Sequence, residues 1–419
     1  MSTSDSEGPN HRPVLEVATD GHRVTTLELF FDLVFVFAIT QVTGYIAEHL
    51  TLVGMLEGMI LLALIWWAWV AYAWLSTTIR FDEGLVRVLL FTAMGMMLII
   101  SIGLPEAFGD APGGFDGWLS TPTVLVLAYA AVRFLHLGLF ALAGRDDPEM
   151  ASAVRRFAAP VGLAMVLLFV GSYVGGWGQI ILFATAVVMD ITGAYWGGGA
   201  GWALNPAHFA ERHGLIVIIA LGESIVAIGA GASALPLSPS ISVAALLGLT
   251  IAACLWWVYF DITAPAAERN LTAVTGAARN RAARDAYSVM HMPMIAGIVL
   301  LALGVKKTVT MVGTEPFDVA GHIKPLAAIS LAAGAALYLT GHLLFRARMD
   351  HSWSRPRAVA AAACAGLAVT APFIPTMALL VAVTAVVAVL VNYEYRRLGW
   401  LSYHLRHQEH EGHEAQPQE

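Results

Sequence analysis

The sequence predicts an all-α protein: a polytopic transmembrane helix bundle of about twelve spans, arranged as two duplicated six-helix units in parallel orientation. Of the 419 residues, 58% are hydrophobic and 13% are charged, which is too little charge to cover a soluble surface. Apolar segments of about 20 residues, enough to cross a hydrocarbon core about 30 Å thick, recur along nearly the whole chain. Similar motifs also recur in the same order in the two halves.

Residues 1–24 form a polar N-terminal segment. It lacks the order of basic, apolar and small residues that marks a cleaved signal peptide. We therefore expect the first hydrophobic helix to be retained as a signal anchor, with residues 1–24 in the cytoplasm. Cys254 and Cys364 lie in apolar stretches far apart in the chain, a pattern that supports neither a disulfide framework nor a zinc cluster.

Clusters of charge, proline and glycine mark the predicted span ends. A first six-span repeat covers residues 25–198, a connection covers 199–212, a second repeat covers 213–397, and a polar tail covers 398–419. The spans predicted for the first repeat are Leu27–His49, Leu52–Leu75, Leu85–Leu104, Thr121–Ala143, Phe157–Val174 and Gln179–Tyr195. Those predicted for the second repeat are Leu215–Ala232, Ser242–Phe260, Tyr287–Val305, Pro325–Phe345, Ala358–Phe373 and Thr376–Tyr395.

Positive charge sorts strongly between the two sides of this arrangement. Of the 23 Lys and Arg residues, Lys306, Lys307 and Lys324 fall on the side opposite the N-terminus, and Arg133 falls inside a span. All others lie on the side of the N-terminus. Because cytoplasmic loops carry the excess of Lys and Arg, this predicts a multi-pass protein of the bacterial inner membrane with both termini cytoplasmic.

Four pairs of motifs indicate an internal duplication, with offsets that drift from 190 to 199 residues. Matches in a constant order favour a repeated unit over chance apolar similarity. Since each unit has an even number of spans, the two would share one orientation and be related by an axis along the membrane normal. The pairs are Asp32 with Glu223, Trp66-Trp67 with Trp256-Trp257, Met94-Gly95-Met96 with Met292-Pro293-Met294, and Ala184–Val188 with Val383–Val387.

Several ionisable residues fall inside the predicted spans, where a charge costs about 2.5–3.5 kcal/mol on insertion scales. At 1.5 Å per residue, four of them lie roughly 10–15 Å from the cytoplasmic edge, and Glu28 and His136 lie nearer to it. We therefore expect a layer of acids and bases from four spans. The four residues at this depth are Asp32, Arg133, Asp190 and Glu223.

In such a layer Arg133 would keep one or two carboxylates ionised, whereas an unpaired carboxylate could carry a proton. An alternative interpretation remains open, because buried charges also fix helix register without transporting anything. For Glu28, near a helix start, the favourable helix dipole is the preferred explanation. The predicted transport or polar network comprises Glu28, Asp32, Arg133, His136, Asp190, Glu223 and Ser224.

The tail carries four histidines at three-residue spacing, with Glu409 and Glu411 between them. A helical tail could hold zinc or nickel in this way, but we interpret it as a disordered polar tail and predict no metal site or cofactor. The sequence has no His-Glu-x-x-His, Gly-x-Ser-x-Gly or Walker-type motif. Its arginines fit lipid headgroups rather than nucleic acid. The tail histidines are His404, His407, His410 and His413.

Two segments resemble the bacterial low temperature requirement A (LtrA) family. The first runs from Arg23 through Glu28 and Asp32 to Val36, and the second is Glu211-Arg212-His213-Gly214-Leu215 leading into Leu221-Gly222-Glu223-Ser224. With the paired tryptophans, the resemblance extends from about residue 20 to 400. It implies a multi-pass membrane protein linked to growth in the cold. The motif residues carried over from the resemblance are Arg23, Glu28, Asp32, Arg212, His213, Glu223 and Ser224. The resemblance implies no substrate.

Three functions are compatible with these patterns. The preferred one is a secondary transporter, or an ion- or proton-conducting protein, whose intramembrane layer couples protons or binds a small charged solute. The second is a membrane-embedded enzyme that acts on a lipid or isoprenoid group through the same acids with His136 and His213. The third is a structural or regulatory protein of the envelope. Membrane lipids are the predicted partners, and the oligomeric state is left open.

Overall fold

The structure, a computed structural model, describes residues 24–81, 84–109, 119–196, 199–233, 235–314 and 321–414, with side chains as far as residue 397. Within these ranges all regular structure is helical. Twelve helices are long and apolar enough to cross a membrane, which confirms the predicted class and number of spans. Since short connections join most of them, consecutive spans alternate in direction. We call the side on which the first helix begins the terminal side.

The first six spans are formed by one helix each. A 3₁₀ turn at Leu104–Glu106 extends the third. The bounds are α1 Thr26–Glu48, α2 Leu52–Leu75, α3 Gly84–Gly103, α4 Thr121–Ala143, α5 Pro148–Val174 and α6 Gly176–Gly193.

The remaining spans include two composite ones. Helix α8 is followed at once by α9, and a π-helical segment at Ala283–Val289 joins α10 to α11. A 3₁₀ turn at Ala371–Phe373 follows α13. The bounds are α7 Pro206–Ala232, α8 Pro239–Phe260, α9 Thr263–Ala273, α10 Gly276–Ala282, α11 His291–Thr314, α12 Pro325–Met349, α13 Arg355–Thr370 and α14 Thr376–Glu414.

Side-chain caps set where many of the spans begin. An Ser, Thr, Asp or Asn before the helix accepts a hydrogen bond from a free backbone N–H of the first turn, and a proline often stands in that turn. Satisfying these groups matters because the bilayer core offers no water to replace a missing partner. The caps are Thr25, Thr51, Ser120, Asp147, Asn205 and Ser238.

Some helices extend beyond the predicted spans because a capped helix continues through polar residues that composition assigns to loops. Helix α7 begins at Pro206 rather than Leu215, and α11 runs to Thr314 rather than Val305. Lys306 and Lys307 therefore lie inside α11. Helix α14 continues to Glu414, so the backbone of the tail is helical where we expected disorder, while its histidine side chains lie outside the described ones.

The two halves of the chain meet through α1 and α2 on one side and α7 and α11 on the other. Trp66 of α2 donates its indole N–H to the Ser288 carbonyl oxygen across this boundary at 2.8 Å. Helices α11 and α12 approach closely through glycines, since a Cβ at Gly297 would lie 2.6 Å from the Gly334 carbonyl oxygen. Small residues at such contacts drive helix association in lipid. The duplicated arrangement of the halves remains a prediction.

Candidate functional site

Arg212 of α7 is the centre of a buried charge network with α1. Its Nη2 lies 2.5 Å from Asp32 Oδ1, and its Nη1 lies 3.1 Å from Glu28 Oε1 and 3.3 Å from Ser76 Oγ. His208 Nε2 lies 3.1 Å from the same Glu28 oxygen. Arg212 and Asp32 are 0% exposed. We call Glu28, Asp32, His208 and Arg212 the Arg212 network.

Helical spacing explains how the network assembles. Glu28 and Asp32 are four residues apart on α1, as are His208 and Arg212 on α7, so each pair occupies one face of its helix. Glu28 also closes a capping box, in which it accepts the Thr25 backbone N–H at 2.7 Å. One carboxylate therefore caps α1 and binds Arg212, which fixes the register of the two helix starts.

Asp32 receives a further hydrogen bond from the tryptophan-rich helix α2. The indole N–H of Trp69 donates to Asp32 Oδ1 at 2.8 Å, and the Arg212 guanidinium lies 5.7 Å from the centre of that indole ring. Oδ2 of Asp32 and Nε of Arg212 are buried with no hydrogen-bond partner among the described residues. Hydrogen-bonding capacity therefore remains at the centre of the network for a further group.

Glu223 lies well away from the Arg212 network, although it is on the same helix as Arg212. It follows Arg212 by eleven residues, which corresponds to about 16 Å along α7. There the Thr40 hydroxyl of α1 donates to Glu223 Oε2 at 2.5 Å, and no ion pair to Glu223 occurs among the described residues. Glu223 is 2% exposed, and the neighbouring Ser224 hydroxyl is buried without a described hydrogen-bond partner. The contacts Thr40–Glu223 and Asp32–Arg212 thus join α1 to α7 at two depths.

Arg133 and Asp190 form a separate ion pair between α4 and α6. Arg133 Nη2 lies 2.7 Å from Asp190 Oδ1, with the side chains 0% and 4% exposed. One turn along α4, His136 is buried, and its two ring nitrogens have no hydrogen-bond partner among the described residues. Aromatic rings separate this pair from the Arg212 network, because Tyr72 packs between Phe31 of α1 and His136.

The predicted layer is therefore divided into three buried centres. Arg133 pairs with Asp190, so this part of the layer forms as expected between a cation and an acid of another span. Asp32 instead pairs with Arg212, and Glu223 accepts a hydrogen bond from Thr40. The main reason for the difference is the early start of α7, which brings Arg212 rather than Glu223 to the depth of Asp32. Arg23 lies outside the described residues.

Sequence reasoning missed a fourth centre in the second half of the chain. Arg357 of α13 binds Glu394 of α14 through two hydrogen bonds, at 2.7 and 2.8 Å, and also donates to Thr263 Oγ1 and His342 Nδ1 at 2.9 Å. Arg357 lies two residues inside its helix, and composition assigned it to a loop. Arg133 is consequently one of three arginines in the described helices that are at most 2% exposed, with Arg212 and Arg357.

A row of buried rings connects the Arg212 network with the Arg357 centre. His213 packs edge-on against Trp69, with ring centres 4.9 Å apart, and against His291 at 5.3 Å. The Tyr259 hydroxyl lies 2.8 Å from His291 Nε2. His213 places its Nδ1 2.9 Å from the Phe209 carbonyl oxygen of its own helix. This row stabilises the middle of the bundle through ring packing and local hydrogen bonds.

These centres can hold ions or exchange protons, whereas the described residues offer no evident metal site. No group of three or more His, Cys, Asp or Glu side chains with metal-binding geometry occurs in the described part of the chain. Ionisable groups buried in membrane spans commonly mark ion or proton pathways.

Comparison with known proteins identifies the family to which the sequence is similar. The family model described as "Bacterial low temperature requirement A protein (LtrA)" matches residues 23–392, which confirms the resemblance predicted from the motifs. An uncharacterised protein of Rhizobium meliloti (strain 1021) is 28% identical over 298 residues, which cover 68% of this chain and 69% of that protein. No solved structure matches this chain.

Proposed function

Since the chain belongs to the bacterial low temperature requirement A (LtrA) family, we propose that it is a secondary transporter or ion-conducting protein of the bacterial inner membrane. In this proposal the buried charges between α1 and α7 couple protons or bind a small charged solute. The family description also refers to a low-temperature requirement, and we extend that link to this chain. We therefore expect a strain that lacks the gene to grow more slowly in the cold, and the intact gene to restore its growth.

The observation that carries the proposal is the position of Glu223. This carboxylate is buried in a membrane span and accepts a hydrogen bond from Thr40. No cation lies within ion-pair distance of it in the described structure, where Lys306 of α11 acts on it from farther away. An ionised carboxylate with no cation in direct contact is costly in a membrane interior, so such a carboxylate is a candidate for binding and releasing a proton or a cation. Glu28, Asp32 and Asp190, by contrast, each have an arginine partner.

The Arg212 network supplies the second part of the proposal. Two carboxylates share one guanidinium, and Asp32 Oδ2 lacks a partner among the described residues. A proton or cation arriving at Asp32 would weaken its attraction to Arg212 and leave Arg212 with Glu28. Because both contacts lie between α1 and α7, such an exchange would alter how these helices hold each other.

The orientation and repeat of the halves belong to the same proposal. Helices α1 and α7 would be the first spans of the two parallel units, and their interface would lie at the centre of the pseudo-symmetric bundle, a common location for a transport path. The terminal side would be cytoplasmic, as the excess of Lys and Arg on that side supports. Reaction of single cysteines in the span connections with an impermeant thiol reagent tests this orientation.

The direct test is flux through the purified protein in sealed liposomes containing a pH-sensitive dye. Wild type is compared with Glu223→Gln and Asp32→Asn under an imposed membrane potential and across a panel of ions. Glu57→Gln is the matched control, because Glu57 also accepts a hydroxyl hydrogen bond, from Tyr45 at 2.6 Å, but lies between α1 and α2. Glutamine at 223 can still accept from Thr40, so folding is expected to survive.

We expect wild type and Glu57→Gln to conduct protons or an ion, and Glu223→Gln and Asp32→Asn to fall to the rate of protein-free liposomes. Equal flux in all four proteins would refute the assigned path. No flux from folded wild type across the panel would refute the transport proposal and direct attention to lipid products formed in detergent, which is the enzyme alternative.

A further inference from the structure

A cavity of about 710 Å³, including its open mouth, lies on the terminal side of the first six spans. It is enclosed by α2, α4, α5 and α6, the segment after α6 and the π-helical segment before α11. We call it the Arg133 cavity, after the buried arginine in its wall.

Three arginines at different depths supply the charge of this cavity. Arg156 in the third turn of α5 is exposed, Arg284 of the π-helical segment is 8% exposed, and Arg133 is 0% exposed. Among the described residues, no Asp or Glu lines the cavity. Positive side chains therefore extend from the surface to a site about 15 Å from the end of α4.

Arg133, the deepest of these arginines, has hydrogen-bond donors that no described residue accepts. Of the three guanidinium nitrogens of Arg133, only Nη2 contacts Asp190. Nε and Nη1 of Arg133 are buried with no hydrogen-bond partner among the described residues. Arg284, by contrast, donates from all three nitrogens, to Asp285 at 2.8 and 2.9 Å and to the Ala194 carbonyl oxygen at 3.3 Å. A buried donor left without a partner costs free energy, and an anion in the cavity would remove that cost.

The rest of the wall is largely aromatic. Trp67, Trp74 and Trp202 line the cavity with Phe140 and Phe157, and the Arg133 guanidinium lies 5.9 Å from the centre of the Phe157 ring. The surroundings thus provide cations for an anionic group and flat apolar surfaces for a ring. Inorganic phosphate or chloride would use the arginines but leave the aromatic surfaces without a partner.

We propose that the Arg133 cavity binds a small organic anion with one anionic group on an aromatic body, taken up from solution on the terminal side. The anionic group approaches Arg133 and the ring packs among the tryptophans. His136, one turn from Arg133 and also in the wall, is placed to contact the same group. This inference rests on the proposed function only in making the bound anion the transported solute.

Binding to the purified full-length protein in detergent tests the proposal without any membrane gradient. The probe is 2-naphthoate, measured by isothermal titration calorimetry, with 2-naphthamide as its uncharged counterpart. Laurate tests whether a lipid-derived acyl anion uses the site instead, and inorganic phosphate tests the charge without a ring. We expect saturable binding of 2-naphthoate only.

The variants are chosen to separate the cavity from general surface charge. Arg156→Gln removes the cation at the mouth, and Arg145→Gln is its matched control, because Arg145 is an exposed arginine of the neighbouring connection outside the cavity. Arg133→Gln combined with Asp190→Asn removes the deep cation without leaving an unpaired carboxylate. Ala194→Phe places a ring in the cavity from its half-exposed rim.

We expect Arg156→Gln to weaken 2-naphthoate binding about tenfold, which corresponds to about 1.4 kcal/mol, because it removes one charge-assisted hydrogen bond at the cavity mouth. The Arg133→Gln/Asp190→Asn and Ala194→Phe proteins should lose binding, and Arg145→Gln should bind as wild type does. Equal affinity for 2-naphthamide, unchanged binding in the cavity variants, or binding of laurate or phosphate in place of 2-naphthoate would overturn the proposal. Binding without liposome flux would refute transport and leave the site established, whereas ion flux without binding would refute this site alone.

Discussion

Replacing Arg212 with Met should destabilise the protein strongly, because it removes the one guanidinium that contacts both Glu28 and Asp32. The two carboxylates are 2% and 0% exposed and lie one helical turn apart, so water cannot solvate them in place of Arg212. Breaking a buried pair by removing one partner costs about 3–5 kcal/mol. Met fits the volume of the arginine stem, which limits the additional cavity cost.

A second change separates the effect of charge from that of shape. Asn at position 32 is neutral and can still accept the Trp69 indole hydrogen bond, which is 2.8 Å long in the wild type. Arg212→Met combined with Asp32→Asn should therefore recover about 1–3 kcal/mol, the range expected for residues in direct contact. Arg145→Met is the control, since its pair with Asp146 is exposed and should contribute less than about 1 kcal/mol.

Thermal unfolding can be followed through a cysteine already present in the chain. Cys364 of α13 is 0% exposed, so a thiol-reactive fluorescent dye reports its exposure when the bundle opens. Cys254 is replaced by Ser so that a single thiol is detected, and all proteins are scanned at one rate because unfolding of such proteins is often irreversible. An Arg212→Met midpoint equal to that of wild type, or no recovery in the double variant, would refute the network as an electrostatic unit.

Two further predictions concern the second half of the chain. Arg357→Met should lower the same unfolding midpoint by a similar amount, with a cost of about 3–5 kcal/mol, because it leaves Glu394 buried without its two hydrogen bonds. Adding Glu394→Gln should restore part of the lost stability, and no restoration would count against the ion pair. Gly297→Ala should cost about 1–3 kcal/mol by forcing a Cβ against the Gly334 carbonyl oxygen. Gly366→Ala should not lower the midpoint, because there is open space around Gly366. Equal midpoints for the two variants would argue against the close α11–α12 contact.

The twelve spans were predictable because span length and hydropathy are local properties of the sequence. An acid partner for Arg133 was expected because buried acids and bases find each other across spans, but the sequence did not identify Asp190 as that partner. The sequence did not identify the partner of Asp32 either. Composition placed Arg212 and Arg357 in polar connections, yet capped helices continue through those segments and bury both side chains.

Pairing also depends on how each helix is rotated about its axis, which a single sequence specifies only weakly. Thr40 carries no pattern that distinguishes it from other hydroxyl residues in spans, and its contact with Glu223 arises from the way α1 packs on α7. The Arg133 cavity is a space between four spans and a π-helical segment. Its outline depends on the packing of all of them, so no local motif could indicate it.

The stability experiments and the flux experiments together separate a functional Arg212 network from a purely structural one. A complete set of buried charges can often be replaced by uncharged residues of similar size without loss of stability, or with a gain of about 1–4 kcal/mol. A protein with Glu28→Gln, Asp32→Asn and Arg212→Met should therefore fold better than Arg212→Met alone. If the charges only fix helix register, this triple variant should also retain flux. If they exchange a proton or cation, it should be folded and inactive, an outcome that loss of structure cannot explain.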